Sequence, residues 1–225
     1  MLSTKTVLSA AALIAGTAFI TAQVMSGPET TRQTTKSIEK AAQPAMQGSP
    51  GMEEMMQKWE AFSTPGPQHA AMKANEGKWN MKITHWMAEG APPQTSTATA
   101  NARMAMGGRY LIEDVKGEGM DFGDGQKHNF EGMAVMGFNN ATKEFFSFWI
   151  DNMGTGHMLE NGTGDASKRI ETSGEMFCPM RGKDCQTRSV STMIDANTRK
   201  LEMWAPDMVT NKMFKTMEIM YTRAK

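Results

Sequence analysis

From Gly77 onward, hydrophobic and polar residues alternate with a period of two, which is the period of a β-strand with one buried face. In the first such run, Trp79, Met81 and Ile83 alternate with polar neighbours. Similar runs follow near 96–106, 108–116, 127–138, 143–151, 155–161, 167–175, 185–195, 199–205 and 212–223. Clusters of Gly, Pro, Asn and Asp separate the runs and are typical of short turns. The pattern predicts about ten antiparallel strands.

Ten consecutive strands joined by short turns must protect their edges from pairing with other chains. An up-and-down barrel removes the edges by closing the sheet on itself. We therefore predict an all-β fold in which residues 77–225 form an antiparallel barrel. A sandwich of two stacked sheets is the alternative.

Residues 1–22 have the order of features found in a secretory signal peptide. A single cation, Lys5, precedes an uncharged stretch that ends at Ala22, where a small residue suits cleavage. A retained membrane anchor is the alternative for this stretch. Residues 23–50 are rich in Thr, Ser, Gln, Pro and Gly, and this composition predicts a flexible linker. We expect a periplasmic or secreted protein with no stable membrane insertion after cleavage.

Residues 51–76 are predicted to form a helical segment ahead of the barrel. Met52, Met55, Met56 and Trp59 are spaced as one face of an amphipathic helix. The prolines that follow end this helix, because proline lacks a backbone N–H.

The charge balance argues against one class of partner. Lys and Arg number 24, and so do Asp and Glu, which gives a formal net charge of zero. A strongly basic nucleic-acid-binding protein needs an excess of cations to meet phosphate groups. We therefore expect a small molecule, and no nucleic acid, as a partner. Composition does not determine the oligomeric state.

Several short motifs resemble one family. Gly77-Lys78-Trp79 is similar to the Gly-x-Trp of lipocalin-like barrels, where the Trp packs at the closed end against an Arg near the last strand, and Arg223 is placed to be that partner. Further motifs are Pro65-Gly66-Pro67-Gln68-His69, Gly107-Gly108-Arg109-Tyr110-Leu111, the run from Phe148 to Gly156, and the run from Met217 to Arg223. Together they resemble the domain-of-unknown-function 1579 family over residues 52–225.

The resemblance implies an exported barrel of calycin-like architecture. It implies no catalytic residue, because no activity is established for the family. The chain departs from the family pattern at His157 and at its two cysteines.

Cys178 and Cys185 are the only cysteines in the chain. An even number of cysteines in an exported protein favours a disulfide. The Pro and Gly between them suit a hairpin loop. We predict a structural disulfide, with metal ligation or a redox-active pair as alternatives.

Methionine is unusually frequent, with 24 residues against six leucines. Thioether sulfur is a soft ligand that suits Cu(I). Met52, Met55 and Met56 form the best cluster, because residues three and four apart meet on a helix. The alternative is that unbranched Met fills the core in place of Leu, and we interpret most methionines in this way.

Six residues are candidates for binding a ligand in the barrel, since each is a polar or aromatic side chain near a predicted interior face or strand end. They are His85, Arg109, Glu113, Trp149, Asp151 and His157. His85 shares the parity of Trp79, so its ring would face the interior. Arg109 and Glu113 share the parity of Leu111 and would form a buried pair if that face is the inner one. The alternative is that Tyr110 and Ile112 face inward.

Asp151 follows an aromatic strand, as either a turn former or a polar anchor at a cavity mouth. The sequence contains no nucleophile elbow, phosphate-binding loop or zinc-binding motif. The leading hypothesis is a non-catalytic barrel that binds a small apolar or amphipathic ligand. The second is a periplasmic, Met-rich protein that handles copper or oxidants. The third is an enzyme that uses His85 with Asp151 or Glu113. No cofactor is assigned.

Overall fold

The computed structural model of the chain describes residues 51–120 and 126–225. The predicted signal peptide, 1–22, and the predicted linker, 23–50, lie outside these residues, so both stay predictions. Within the described ranges, no helix combines the length and the apolar character needed to cross a membrane.

Three short helical pieces precede the sheet, in the segment where the sequence predicts a helix. Helix α1 is Met52–Ser63, helix α2 is Pro67–Met72, and a 3₁₀ turn covers Lys73–Asn75. Proline suits the first position of α2, because the missing N–H would have no partner inside the helix. Near this start, the Gly66 amide donates to His69 Nδ1 at 3.0 Å.

Ten strands follow, and each pairs antiparallel with the next along the chain. The last strand also pairs with the first, with Trp79 opposite Arg223, so the sheet closes into a barrel. The predicted barrel is confirmed, and the sandwich alternative is wrong. The strands are β1 (Gly77–His85), β2 (Gln94–Ala105), β3 (Tyr110–Met120), β4 (His128–Asn139), β5 (Glu144–Asp151), β6 (Met158–Asp165), β7 (Arg169–Cys178), β8 (Lys183–Asp195), β9 (Thr198–Pro206) and β10 (Met213–Arg223).

Alternate residues of the strands fill the barrel interior. On β1, Trp79, Met81 and Ile83 are buried, and the residues between them are exposed. They pack in one core with Leu111 of β3 and Ile219 of β10. Full burial of one such side chain contributes about 1.5–3 kcal/mol. A slip of one residue would turn these side chains to water, so the core fixes the strand register.

Trp79 and Arg223 lie at one end of the barrel, which we call the closed end. The Trp79 indole donates to the Asn75 carbonyl at 2.9 Å, and Arg223 Cζ lies 4.2 Å from a Trp79 ring centroid. Arg223 also donates to the carbonyls of Ala74 and Glu76, at 3.0 and 2.6 Å. The pair that the Gly-x-Trp pattern predicts therefore fastens the 3₁₀ turn to the barrel.

Gly77 is a position at this end that requires glycine. Its φ of +117° lies in the left-handed region, and an added Cβ would lie 2.8 Å from Arg223 Nη1. A side chain would therefore strain the backbone and displace the guanidinium.

The C-terminal end of α1 is tied to the barrel by two side chains. Arg109 Nη2 donates to the Ser63 carbonyl, and Asn140 Nδ2 donates to the Thr64 carbonyl, both at 2.7 Å. No residue of α1 is buried. Its exposed apolar side chains are Met52, Met55, Met56, Trp59 and Phe62.

Candidate functional site

The barrel encloses a cavity of about 430 Å³. Its lining includes Met72 and Ala166 at the closed end and His85 and Met153 at the opposite end, which we call the far end. A cavity of this size lies within the range that holds small-molecule ligands. Most of its wall is apolar, so it suits a ligand with an apolar body.

Eight methionines line this cavity. An unbranched thioether adapts its rotamers to an irregular shape, so such a wall can fit apolar bodies of different outlines. Six of the methionines lie on strands, one lies on α2 and one follows β5. The eight are Met72, Met81, Met136, Met153, Met158, Met193, Met203 and Met217.

A buried ion pair lies on the cavity wall. Glu113 on β3 and Arg199 on β9 both point inward, and Arg199 Nη2 donates to Glu113 Oε2. The Tyr221 hydroxyl donates to the other carboxylate oxygen at 3.4 Å. Both charged side chains are only 6% exposed, and all three residues line the cavity. Because buried charges are tolerated when they are paired, this group forms a fixed polar feature on an apolar wall.

Arg199 also lies against aromatic rings. Its Cζ is 3.9 Å from the Tyr221 ring centroid and 4.9 Å from a Trp79 ring centroid. Burial, together with the neighbouring Glu113 carboxylate, raises the pKa of the Tyr221 phenol far above its usual range. Tyr221 therefore stays protonated and acts as a hydrogen-bond donor.

Near the far end, Trp149 and Asp151 are joined by a hydrogen bond. Trp149 Nε1 donates to Asp151 Oδ2 at 2.8 Å, and the Met153 amide donates to Asp151 Oδ1 at 3.0 Å. Phe130 stacks on the indole, with 6.1 Å between ring centroids. Asp151 therefore both shapes the turn after β5 and lines the cavity.

The structure brings four of the six candidate residues to one cavity, and these are His85, Glu113, Trp149 and Asp151. Arg109 precedes β3, in the turn where it fastens α1, so strand parity does not apply to it. The expected pair of Glu113 with Arg109 is wrong, because the partner is Arg199. His157 is exposed outside the barrel and stacks on Phe148 at 5.4 Å.

The predicted disulfide is not formed in the structure, where Cys178 and Cys185 are free thiols. The pairing of β7 with β8 places Cys178 opposite Lys183 and Cys185 opposite Met176. The cysteines therefore share one face but stand in diagonal positions. Diagonal residues are about 7–8 Å apart at Cα, beyond the usual disulfide range of about 4.4–6.8 Å.

Asp207 and Arg181 join loops at the far end, and neither was singled out from the sequence. Asp207 accepts hydrogen bonds from the amides of Thr210, Val209 and Glu89, at 2.8, 2.9 and 3.3 Å. These bonds, led by the one from Thr210, lower the pKa of Asp207 to about 2. Arg181 Nη2 donates to the Asp207 carbonyl. The loops that follow β1, β7 and β9 are therefore connected to one another.

Within the described ranges, no three His, Cys, Asp or Glu side chains are grouped so that they could hold a metal ion. The possible Cu(I) ligands that the sequence suggests lie on α1, and they are Met52, Met55 and Met56. These three side chains are 72%, 45% and 61% exposed, so their thioethers are accessible to solvent.

The fold and the cavity define a class, a closed ten-stranded β-barrel with room for a small molecule inside. The chain belongs to the family described as protein of unknown function (DUF1579), whose model matches residues 64–223. The predicted family is therefore confirmed. No curated protein matches the sequence.

Two solved structures are similar to this chain. A redesigned beta barrel is 12% identical, with a TM-score of 0.37 over 69% of this chain and 96% of the other. The S-type phycobiliprotein lyase CPES from Guillardia theta is 7% identical, with a TM-score of 0.45 over 72% of this chain and 99% of the other.

Proposed function

We propose that the protein is an exported, non-catalytic barrel that binds one small apolar or amphipathic molecule in its interior. The observation that carries this proposal is the cavity of about 430 Å³, whose wall is mostly apolar and also presents polar side chains. Removing about 200 Å² of apolar ligand surface from water contributes about 5 kcal/mol before the costs of association.

The polar groups of the wall support binding over catalysis. The Glu113 carboxylate accepts from Arg199 and Tyr221, and the Asp151 carboxylate accepts from Trp149 and the Met153 amide. A general base needs an oxygen within reach of the proton that it removes. These carboxylates are engaged by the protein itself, and they suit a role in shaping and orienting.

Export rests on the signal-peptide pattern of residues 1–22. We expect a periplasmic or secreted mature protein that begins after Ala22. Intact-mass measurement of the protein from fractionated host cells tests this. An uncleaved protein found in the cytoplasm would overturn it.

A cavity-filling variant tests ligand binding. The probe is N-phenyl-1-naphthylamine, an apolar dye followed by its own fluorescence. Ala134 lines the cavity, so Ala134→Phe should weaken dye binding at least tenfold. Val135 is the next residue of β4 and faces the other side, so Val135→Phe should leave binding within threefold.

Saturable one-to-one binding that only the inward substitution weakens would support the proposal. Absence of saturable binding to the wild-type barrel, or equal binding by both folded variants, would overturn it. Native mass spectrometry of the protein purified from its host then identifies any retained molecule.

A second candidate function, the handling of Cu(I) or oxidants, is favoured by the exposure of Met52, Met55 and Met56 on one helix. Residues at this spacing are neighbours on a helix surface, and thioethers suit Cu(I). Anaerobic Cu(I) titration should show binding that is lost when all three become Leu. Unchanged affinity in the triple variant would remove this site.

A further inference from the structure

A second buried carboxylate lies inside the barrel, on β6. Glu160 has no exposed surface. Thr172 Oγ1 donates to Glu160 Oε2 at 2.7 Å. Glu160 Oε1 is buried and has no hydrogen-bond partner among the described residues. A buried acceptor left unpaired costs about 1–3 kcal/mol, and more when it is charged, so this oxygen calls for a donor.

Two hydroxyl oxygens near Glu160 also lack a hydrogen-bond partner among the described residues. The register places Gly174 opposite both Glu160 and Thr187, and places Thr172 opposite Ser189. The Thr187 and Ser189 hydroxyl oxygens are buried and have no partner within the described part of the chain. Three unpaired oxygens therefore lie on the inner wall, one on β6 and two on β8, with β7 between these strands.

This polar group borders the cavity. Met158, which precedes Glu160 by two residues on β6, lines the cavity. Ser147 on β5, the register partner of Glu160, lines it too. Thr172 and Ser189 line it as well. Glu160 itself is not part of the cavity lining, so a ligand group reaches it only past these neighbouring side chains.

The charges inside the barrel set the sign of the ligand group. Glu113 and Arg199 neutralise each other, although Arg199 Nε is buried without a hydrogen-bond partner among the described residues. None of the ion pairs among the described residues involves Glu160. Beside Glu160, a ligand carboxylate would therefore meet a second acceptor with no cation between them, whereas a cationic donor would meet a complementary acceptor.

We propose that Glu160, with Thr187 and Ser189, is the polar subsite of the cavity, and that its ligands are apolar amines whose ammonium group donates to Glu160 Oε1. This inference rests on the proposed function. The apolar body fills the Met-lined cavity, and the ammonium reaches the carboxylate past the Met158 side chain.

Three molecules with one alkyl chain test this subsite by calorimetry, namely decylammonium, decanol and decanoate. The wild-type protein should bind decylammonium at least tenfold more tightly than decanol, and decanoate more weakly than both. Glu160→Gln should bring decylammonium to within threefold of decanol. Glu144→Gln, an exposed carboxylate at the start of β5, should leave the wild-type order unchanged.

The three ligands distinguish a failure of the Glu160 subsite from a failure of the proposed binding function. If decanol binds in the cavity but decylammonium binds no more tightly, the subsite is wrong and the binding function stands. If none of the three binds, both are wrong. The wild-type order decides the matter even if Glu160→Gln does not fold, and Ser189→Ala, which should weaken decylammonium severalfold more than decanol, gives a milder second variant.

Discussion

Replacing Arg199 with methionine would leave the Glu113 carboxylate buried without its cation. Both side chains are 6% exposed, so little solvent contact would compensate for the lost partner. Breaking a buried ion pair from one side costs about 3–5 kcal/mol. In a domain of this size, 1 kcal/mol shifts Tm by about 2–4 °C, so Arg199→Met should lower Tm by about 6–20 °C.

Removing both charges should be much less harmful. The double variant Glu113→Leu/Arg199→Met leaves no uncompensated charge, and apolar replacement of a buried pair is often neutral. It does lose the contacts of the guanidinium with Tyr221 and Trp79, worth about 0.5–2 kcal/mol each. We expect the double variant to recover about 2 kcal/mol or more of the loss in the single variant.

Urea unfolding followed by tryptophan fluorescence measures these differences. Arg103 and Asp114 form a matched pair on the outer surface, 2.6 Å apart with side chains 50% and 37% exposed. Arg103→Met should cost less than about 1 kcal/mol, since exposed pairs contribute little. The reasoning is refuted if Arg199→Met costs no more than Arg103→Met, or if the double variant is less stable than the single one.

Three further predictions concern stability. Gly77→Ala should cost about 1–3 kcal/mol from backbone strain alone and more than Gly90→Ala, whose φ is also positive but whose added methyl meets open space; equal losses on thermal denaturation would contradict the steric role of Arg223. Asp207→Asn should flatten the acid branch of the stability curve. The pKa of Asp207 is lowered from 3.8 to about 2, so its stabilisation is present above pH 4 and lost as the pH falls toward 2; an unchanged slope in urea titrations from pH 2 to 6 would argue against this. Tyr221→Phe should flatten the alkaline branch. A raised phenol pKa stabilises the fold fully below about pH 10, and this contribution is lost at higher pH; melting curves from pH 8 to 11 that are parallel to those of the wild type would refute it.

The barrel was predictable because each strand carries its own evidence. The alternation around Trp79 and Met81 depends only on neighbouring residues, and the closing contact with Arg223 is the one that the resemblance to lipocalin-like barrels implies. The partner of Glu113 was not predictable in this way. Arg199 lies 86 residues further along the chain, on a strand that is not adjacent to β3. The sequence pattern suggested Arg109 instead, but Arg109 lies in the turn before β3, where strand parity does not hold.

Strand β6 shows why a hydrophobic pattern misses a polar interior. Hydrophobicity alone would turn Leu159 inward, yet Leu159 is 43% exposed and Glu160 is fully buried. The register decides the face, because Glu160 shares the parity of Met158, whose side chain lines the cavity. Close packing of β6 on β7 also requires glycine two residues further on, since an added Cβ at Gly162 would overlap the Glu171 carbonyl of the neighbouring strand. The carboxylate is thus carried into the apolar interior by the geometry of the sheet, and its unpaired oxygen is the feature that an apolar amine would satisfy.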